Sequence, residues 1–369
     1  MSITLQEMLN DGAIKPKVLS SDRLKENRVG IVSTVYRAQD SLADWSEYHL
    51  SLGFSHLILI FDQLGDPNEL ATARDLQSRF GPDLLTIWDG RELARKGWED
   101  ILNCPEYDQL LLAAQSESSS FGVSARQSLN ASTALLAAQN GQFGLGPLDW
   151  LLHLDHDELF YLEGRQCGGG SLHEHFSALM QHDYHCVRYT NHELLLPRSP
   201  HKPLRFKCNP LVAGNKLGKP GWTNLKKQFE KGSHHYFHGY TNGKSVVKVC
   251  QGSFAAGIHS WYLQERISGK AYTYAAGPSI LHYRFHSSEY FINKYMRMSK
   301  STGMNPLGSF QPLRAERETL DLIDRLRGMG ADINTIKAKL YELWSEMTLF
   351  PAWEVTLLEE AGLLITPTI

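Results

Sequence analysis

The chain has 369 residues, 42% hydrophobic and 21% charged, and its 37 Lys and Arg against 40 Asp and Glu leave a formal net charge of −3. This composition fits a globular protein of one to three domains with a large core, and it lacks the basic excess of a nucleic-acid binder. Five cysteines without a CxxC pair argue against a disulfide scaffold or a zinc-thiolate site, and no run of about 18 apolar residues marks a membrane span.

Residues 1–27 are polar and mixed and are expected to form a leader. The opening MSITLQEMLNDGAIKPK lacks the apolar stretch of a secretory signal, so a cytoplasmic location is expected, with peripheral contact to a membrane surface left open. VGIVSTVY (29–36) is a β-branched apolar run and predicts a buried strand. DSLADWSEYHLSLG (40–53) carries Leu42, Trp45, Tyr48, His49 and Leu52 at helical spacing, with Gly53 placed to end the helix. HLILIFD (56–62), PNELATARDLQSRF (67–80) and DLLTIWD (83–89) continue as strand, helix and strand. Such alternation predicts an α/β fold with a doubly wound, mostly parallel sheet.

Residues 98–144 read as largely helical, most clearly SARQSLNASTALLAAQ (124–139). DWLLHLDHDELFYL (149–162) reads as one strand with its exit, HCVRYTNHELLL (185–196) as another, and 197–243 as loop. KSVVKVC (244–250) and SILHYRF (279–285) are expected strands, GIHSW (257–261) a turn, and SSEYFINKYMRMSK (287–300) a helix. Residues 301–369 are expected to form a helical C-terminal extension to a main domain spanning 28–300.

The chemistry is concentrated in LLHLDHDELFYL. An apolar approach leads to Asp155, Asp157 and Glu158. Residues two apart on an extended chain share a face, so Asp155 and Asp157 are expected to reach one pocket beyond the carboxyl ends of a parallel sheet. Two carboxylates there repel unless a cation accompanies them. A hard divalent ion, Mg²⁺ or Mn²⁺, suits oxygen ligands and would also hold a diphosphate.

Four motifs in order resemble a known family. They are YRAQDSLADWSEYHLSLGFSHLILIFDQ (36–63), RQSLNASTALLAAQ followed by DWLLHLDHDELF, GKSVVKVCQGSFAAGIHSW (243–261), and ILHYRFHSSEYFINK (280–294). Together they resemble the GT-A glycosyltransferases of family 2 type, closest to the family 92 (DUF23-like) group, over about residues 29–300. The first loop departs from that pattern, with Arg37–Ala38–Gln39 where a KNE-like triplet is usual.

The resemblance implies a GT-A-like doubly wound fold. It also implies inverting transfer of a hexose from a nucleotide sugar, expected to be UDP-linked, to a glycan or lipid-linked acceptor. Asp157 would bind the metal and Asp155 would touch the ribose or the metal, with His259 and His282 as further candidate metal ligands. Asp62, Thr34 and Tyr36 end the first two strands and would line the nucleotide. Arg126, Gln127 and Asn130 share a helix segment and are either donor contacts or a solvated face. Lys244, Lys248 and Arg284 are candidate phosphate contacts, and Glu193 or Glu230 a candidate base. HHYFH (234–238) reads better as loop or edge strand than as a metal cluster, and Trp222 and Trp261 better as core than as sugar platforms. Two other classes stay open: a metal-dependent phosphohydrolase using His153, Asp155, His156 and Asp157, and a nucleotide- or glycan-binding protein of the same fold without catalysis.

Overall fold

The computed structural model describes residues 27–36, 41–62, 64–96, 98, 107–114, 120–141, 147–162, 171–182, 184–196, 204–231, 236–238, 240–250, 253–255, 257–263, 270–274, 277–298 and 314–367. The leader (apart from Asn27), the Arg37–Gln39 triplet, Cys104 and Cys167 lie outside them.

The first half alternates as its periodicities predict: β1 (Val29–Val35), α1 (Leu42–Leu52), β2 (His56–Phe61), α2 (Pro67–Phe80), β3 (Leu85–Asp89), then α3 (Gly90–Lys96), α4 (Asp108–Ala114) and the long α5 (Ser120–Asn140). The local signals are physical ones. Gly53 ends α1 in the left-handed conformation and donates its N–H to the carbonyls of His49 and Leu50. Asp66 caps α2 by accepting from the Asn68 N–H, ahead of Pro67 in the first turn. β4 (Trp150–His153) and β5 (Glu158–Tyr161) follow, then α6 (Leu172–Gln181), β6 (Tyr184–Tyr189), β7 (Asn191–Leu195), β8 (Arg205–Lys207) and α7 (Pro210–Lys231). The chain continues with β9 (Lys244–Lys248), β10 (Ser253–Ala255), β11 (Trp261–Leu263), β12 (Lys270–Tyr274), β13 (Ser279–His282), α8 (Ser288–Met298), α9 (Arg314–Gly328), α10 (Ile333–Thr348), α11 (Ala352–Glu360) and β14 (Leu364–Ile365).

A seven-stranded sheet has the order β12-β6-β9-β4-β1-β2-β3. β4, β1, β2 and β3 are mutually parallel, β9 runs antiparallel to both β4 and β6, and β12 is parallel to β6. The protein is thus α/β, with one mostly parallel sheet flanked by helices. Its strand order reverses between β1 and β4, the switch point beyond which open α/β sheets place their ligands. A second, five-stranded mixed sheet, β14-β8-β7-β13-β5, stands beside it, and β10 and β11 form an antiparallel pair.

Two stretches that read as single strands are divided between the sheets. Residues 149–162 supply β4 to the first sheet and β5 to the second, with Leu154–Asp157 crossing between them. Residues 185–196 do the same through Thr190. α1 fastens the crossing from outside. Trp45 donates its indole N–H to the Glu158 carbonyl at 2.7 Å and Tyr48 its hydroxyl to the Phe160 carbonyl at 2.9 Å. Phe54, Phe160 and Tyr189 pack edge to face behind it.

The segment 197–243 departs from its loop reading, because 210–231 are helical with a break at Gly218, where φ is +67°. Gly214, Gly218, Pro220 and Gly221 hide the helical pattern. The region around GIHSW contributes the short β10–β11 pair. In the C-terminal extension, the Trp344 indole donates to the Phe285 carbonyl at 2.9 Å, and β14 pairs with β8, so this segment packs on the second sheet. No helix among the described residues is long and apolar enough to cross a membrane.

Candidate active site

Asp155 and Asp157 follow β4 at the switch point, but not on an extended chain. Residues 156–157 form a turn, closed by the Glu158 N–H donating to the Asp155 carbonyl at 3.1 Å. The period-two argument therefore does not apply, and the two carboxylates meet different partners. Asp155 accepts from Lys244 Nζ at 2.7 Å and from Gln127 Nε2 at 3.1 Å. Asp157 Oδ2 stands 3.8 Å from His282 Nε2.

Lys244 is completely buried, a costly place for an ammonium unless it is paired. It donates to Asp155 and to the Ile258 carbonyl, and lies 3.5 Å from Glu158 Oε2. Burial works against the charge on Lys244, yet Asp155 and Glu158 hold its pKa above the ordinary lysine value. Burial likewise opposes ionisation of Asp155, but Lys244 keeps that carboxyl below its usual range. Glu158 shares the same cation at longer range, and burial pushes its carboxyl well above the usual value. Its Oε2 accepts the Asp155 backbone N–H at 2.9 Å, so Glu158 shapes the turn rather than facing a ligand.

Lys244→Met is expected to cost about 3–5 kcal/mol of stability, because it strands a buried carboxylate without its cation. Urea unfolding at neutral pH measures this, and a loss below about 1 kcal/mol would show that the pair contributes little.

Asp157 is different. Burial raises its pKa, but His282, His156 and Lys294 together hold the carboxyl well below the ordinary value. His282 reaches it from β13, whose antiparallel register with β5 sets His282 opposite Glu158. His259 adds a third imidazole nearby. Its Nδ1 lies 2.9 Å from the Gly243 carbonyl, which can only accept, so Nδ1 carries the proton and Nε2 keeps its lone pair. Burial, reinforced by the Lys244 charge, lowers the His259 pKa to about 3, so the ring is neutral. The Tyr240 ring packs against both His259 and His282, with centroids 4.1 Å and 5.1 Å away. Its buried hydroxyl has no hydrogen-bond partner among the described residues.

Gly243 makes this arrangement possible. With φ at +65°, a Cβ there would stand 1.8 Å from the Tyr189 carbonyl oxygen, so no side chain fits where β6 passes into β7.

Among the described residues, no group of three or more His, Cys, Asp and Glu side chains converges as a ready-made metal cage. The Asp157–His282 pair nonetheless has a suitable spacing. Two donor atoms sharing one octahedral ion at about 2.1 Å stand roughly 3.0 to 4.2 Å apart, and the observed 3.8 Å falls within that interval. Carboxylate plus imidazole suits Mn²⁺, with the remaining positions left to a ligand's oxygens and water.

The other candidates are distributed as follows. Asp62 is gripped by Arg126, with Nε 2.9 Å from Oδ1 and Nη2 2.9 Å from Oδ2. Asn130 donates to Thr34 at 3.2 Å, so α5 ties together the ends of β1, β2 and β4 through Asn130, Arg126 and Gln127. Tyr36 lies at the rim with the Arg297 guanidinium 5.7 Å from its ring centre. Arg284 points away from Asp157 chemistry, donating to Glu316 at 2.6 Å and to the Tyr295 hydroxyl at 3.3 Å. Glu193 is buried in an ion pair with Lys207 at 3.2 Å and accepts the His238 N–H at 2.9 Å. Lys248 is partly exposed at the far end of β9 from Lys244. Trp222 packs against Tyr236, and the Trp261 indole donates to the Ser245 carbonyl at 2.9 Å, so both serve the core. Of HHYFH, His234 and His235 lie outside the described residues, and the Glu230 side chain does too.

Tyr240, Gly243 and Lys294 were not singled out by sequence reasoning as site residues. Gly243 carried a signal, since it opens the GKSVV motif; Lys294 closes the ILHYRFHSSEYFINK motif.

No protein-family model matches the chain, and a search of curated proteins finds no significant match.

Proposed function

We propose that the protein is a metal-dependent glycosyltransferase of GT-A type that takes a hexose from a nucleotide sugar, UDP-linked by the family resemblance, and passes it to a glycan or lipid-linked acceptor. One observation carries the reading. At the β1–β4 switch point, Asp157 is left facing His282 as a carboxylate–imidazole pair, while its neighbour Asp155 is already neutralised by Lys244.

Asp157 and His282 would hold the divalent ion, with His259 Nε2 as a further donor. The ion, when bound, offsets charge on the departing diphosphate. Asp155, fixed by Lys244 and Gln127, is held in place to accept from ribose hydroxyls. The Tyr240 hydroxyl is a polar contact for the ligand. Inversion needs a base within reach of the acceptor hydroxyl. Glu193 fills that role only by loosening its pair with Lys207, whereas a retaining course would need no base. The phosphohydrolase reading draws no support from His153, which is buried with its Nε2 unpartnered and its pKa lowered to about 3 by burial.

Thermal denaturation with a panel of nucleotide sugars, in Mn²⁺ and in EDTA, tests the proposal. A ligand at a hundred times its Kd should add about 2.7 kcal/mol of stability. The expected result is stabilisation by one uridine diphosphate sugar in Mn²⁺, lost in EDTA, followed by sugar transfer in a product assay. Release of inorganic phosphate from simple phosphoesters, with no nucleotide sugar bound, would replace this reading with the hydrolase.

A further inference from the structure

The cations considered for phosphate or donor contact, together with Lys294, are unevenly engaged. Lys244 is held by Asp155 and Glu158, Arg284 by Glu316, and Arg126 by Asp62. Lys294 of α8 is half-buried and makes no ion pair or hydrogen bond with any described residue. Its ammonium lies 5.8 Å from the centre of the Tyr290 ring. Tyr290, Lys294 and Arg297 are spaced i, i+4 and i+7 and share a face of α8. Phe291 and Tyr295 occupy the buried face, packed on Phe285. Arg297 against Tyr36 sets the first face at the carboxyl end of β1, and the Lys294 charge acts on Asp157, His156 and His286.

Burial, aided by the neighbouring Arg284 charge, lowers the pKa of Lys294 below the ordinary lysine value, so what surrounds it does not compensate its charge. A cation at Asp157 would deepen the imbalance, since it would neutralise the carboxylate nearest in effect to Lys294. A half-buried ammonium with no ion-pair or hydrogen-bond partner among the described residues, beside a pair that would hold a divalent ion, calls for an anion that satisfies both.

We propose that Lys294 is a binding residue for the diphosphate of the ligand, contacting from α8 the same group that an ion held by Asp157 and His282 would bind. This rests on the nucleotide-diphosphate reading above but concerns binding and not transfer. It assigns the phosphate-contacting cation to α8, where Lys244 and Arg284 are already committed elsewhere.

Inorganic pyrophosphate with Mn²⁺ is the probe, measured by calorimetry and thermal denaturation on the full chain. Wild-type protein should bind it, Lys294→Met should weaken binding roughly tenfold or more, and Lys294→Arg should stay within about threefold of wild type. Without ligand, Lys294→Met should melt at the wild-type temperature or higher, because it removes an uncompensated charge. The inference is overturned if Lys294→Met binds pyrophosphate as wild type does, if wild type does not bind it, or if ligand-free Lys294→Met melts several degrees lower, which would mark a structural role. Sugar transfer with unaltered pyrophosphate binding in Lys294→Met would remove this inference alone. Lys294-dependent pyrophosphate binding with no nucleotide sugar turned over would remove the transferase reading alone.

Discussion

Asp157→Ala is expected to lower Mn²⁺-dependent turnover of the donor roughly 10²–10³-fold. Asp155 does not substitute for it. The Asp155 carboxylate is compensated by Lys244 at 2.7 Å and oriented by Gln127, so it offers a cation little net charge. Asp157 instead faces His282 at 3.8 Å, and without the carboxylate an imidazole alone is a poor holder of a hard ion. Losing this carboxylate should also lose charge stabilisation at the leaving group, an effect of the size seen when a single preorganised electrostatic contact is removed. Asp157→Asn keeps the shape and should fall nearly as far. Initial rates across a Mn²⁺ titration provide the measurement. Wild-type rates in Asp157→Ala would remove the metal role from this residue.

Acidification from pH 7 to pH 5 is expected to cost about 6 kcal/mol, comparable to the whole stability of an ordinary domain. Three buried histidines suffice for a loss of that size, and His259 acts in the same sense. His49 donates from Nδ1 to the Trp45 carbonyl and accepts the Phe160 N–H at Nε2, so a second ring proton would face a donor. His192 accepts the Asn209 N–H at Nδ1 and has the same difficulty. His153 has no polar partner at Nε2. Burial lowers their pKa values to about 3, about 4 and about 3 respectively.

Each value lies below that of a free histidine, about 6.5, so the stabilising difference is complete above pH 6.5 and is lost as pH falls towards 3–4. At pH 5 each unfolded ring has gained its proton and each folded ring has not, which is about 2 kcal/mol per residue. Glu158 acts in the opposite sense, since its raised pKa favours the fold as pH falls. One such group does not outweigh three. Urea unfolding at pH 7, 6 and 5 should show the decline, and a level stability across that range would mean that the rings accept protons within the fold.

The parallel half of the large sheet was legible in the sequence because strands such as HLILIF are continuous apolar runs and the helices between them show a clear 3.6-residue rhythm. The division of 149–162 was not. WLLHLDHDELFYL is apolar on both sides of the acidic cluster, so nothing local marks the passage from one sheet to the next. The helix at 210–231 was concealed by three glycines and Pro220 in its interior. Within the site, Asp155, Asp157, His259 and His282 were legible as motif residues. Their pairings were not. Lys244 reaches Asp155 across 89 residues and Arg126 reaches Asp62 across 64, and such pairings leave no periodic trace. Lys294 has the spacing of an ordinary amphipathic helix, and only its lack of an ion-pair or hydrogen-bond partner among the described residues distinguishes it.

The short crossing from β4 to β5 also limits how this protein can diverge. His153 is registered against Val32 in one sheet, and Glu158 against His282 in the other. Four residues span the gap, with both ends anchored. Inserting or deleting a single residue there would turn Glu158 from Lys244 or carry Asp157 from His282, whatever its identity. Descendants of this chain should therefore change residue types around the acidic turn while conserving its length, so that spacing, more than composition, is the inherited character.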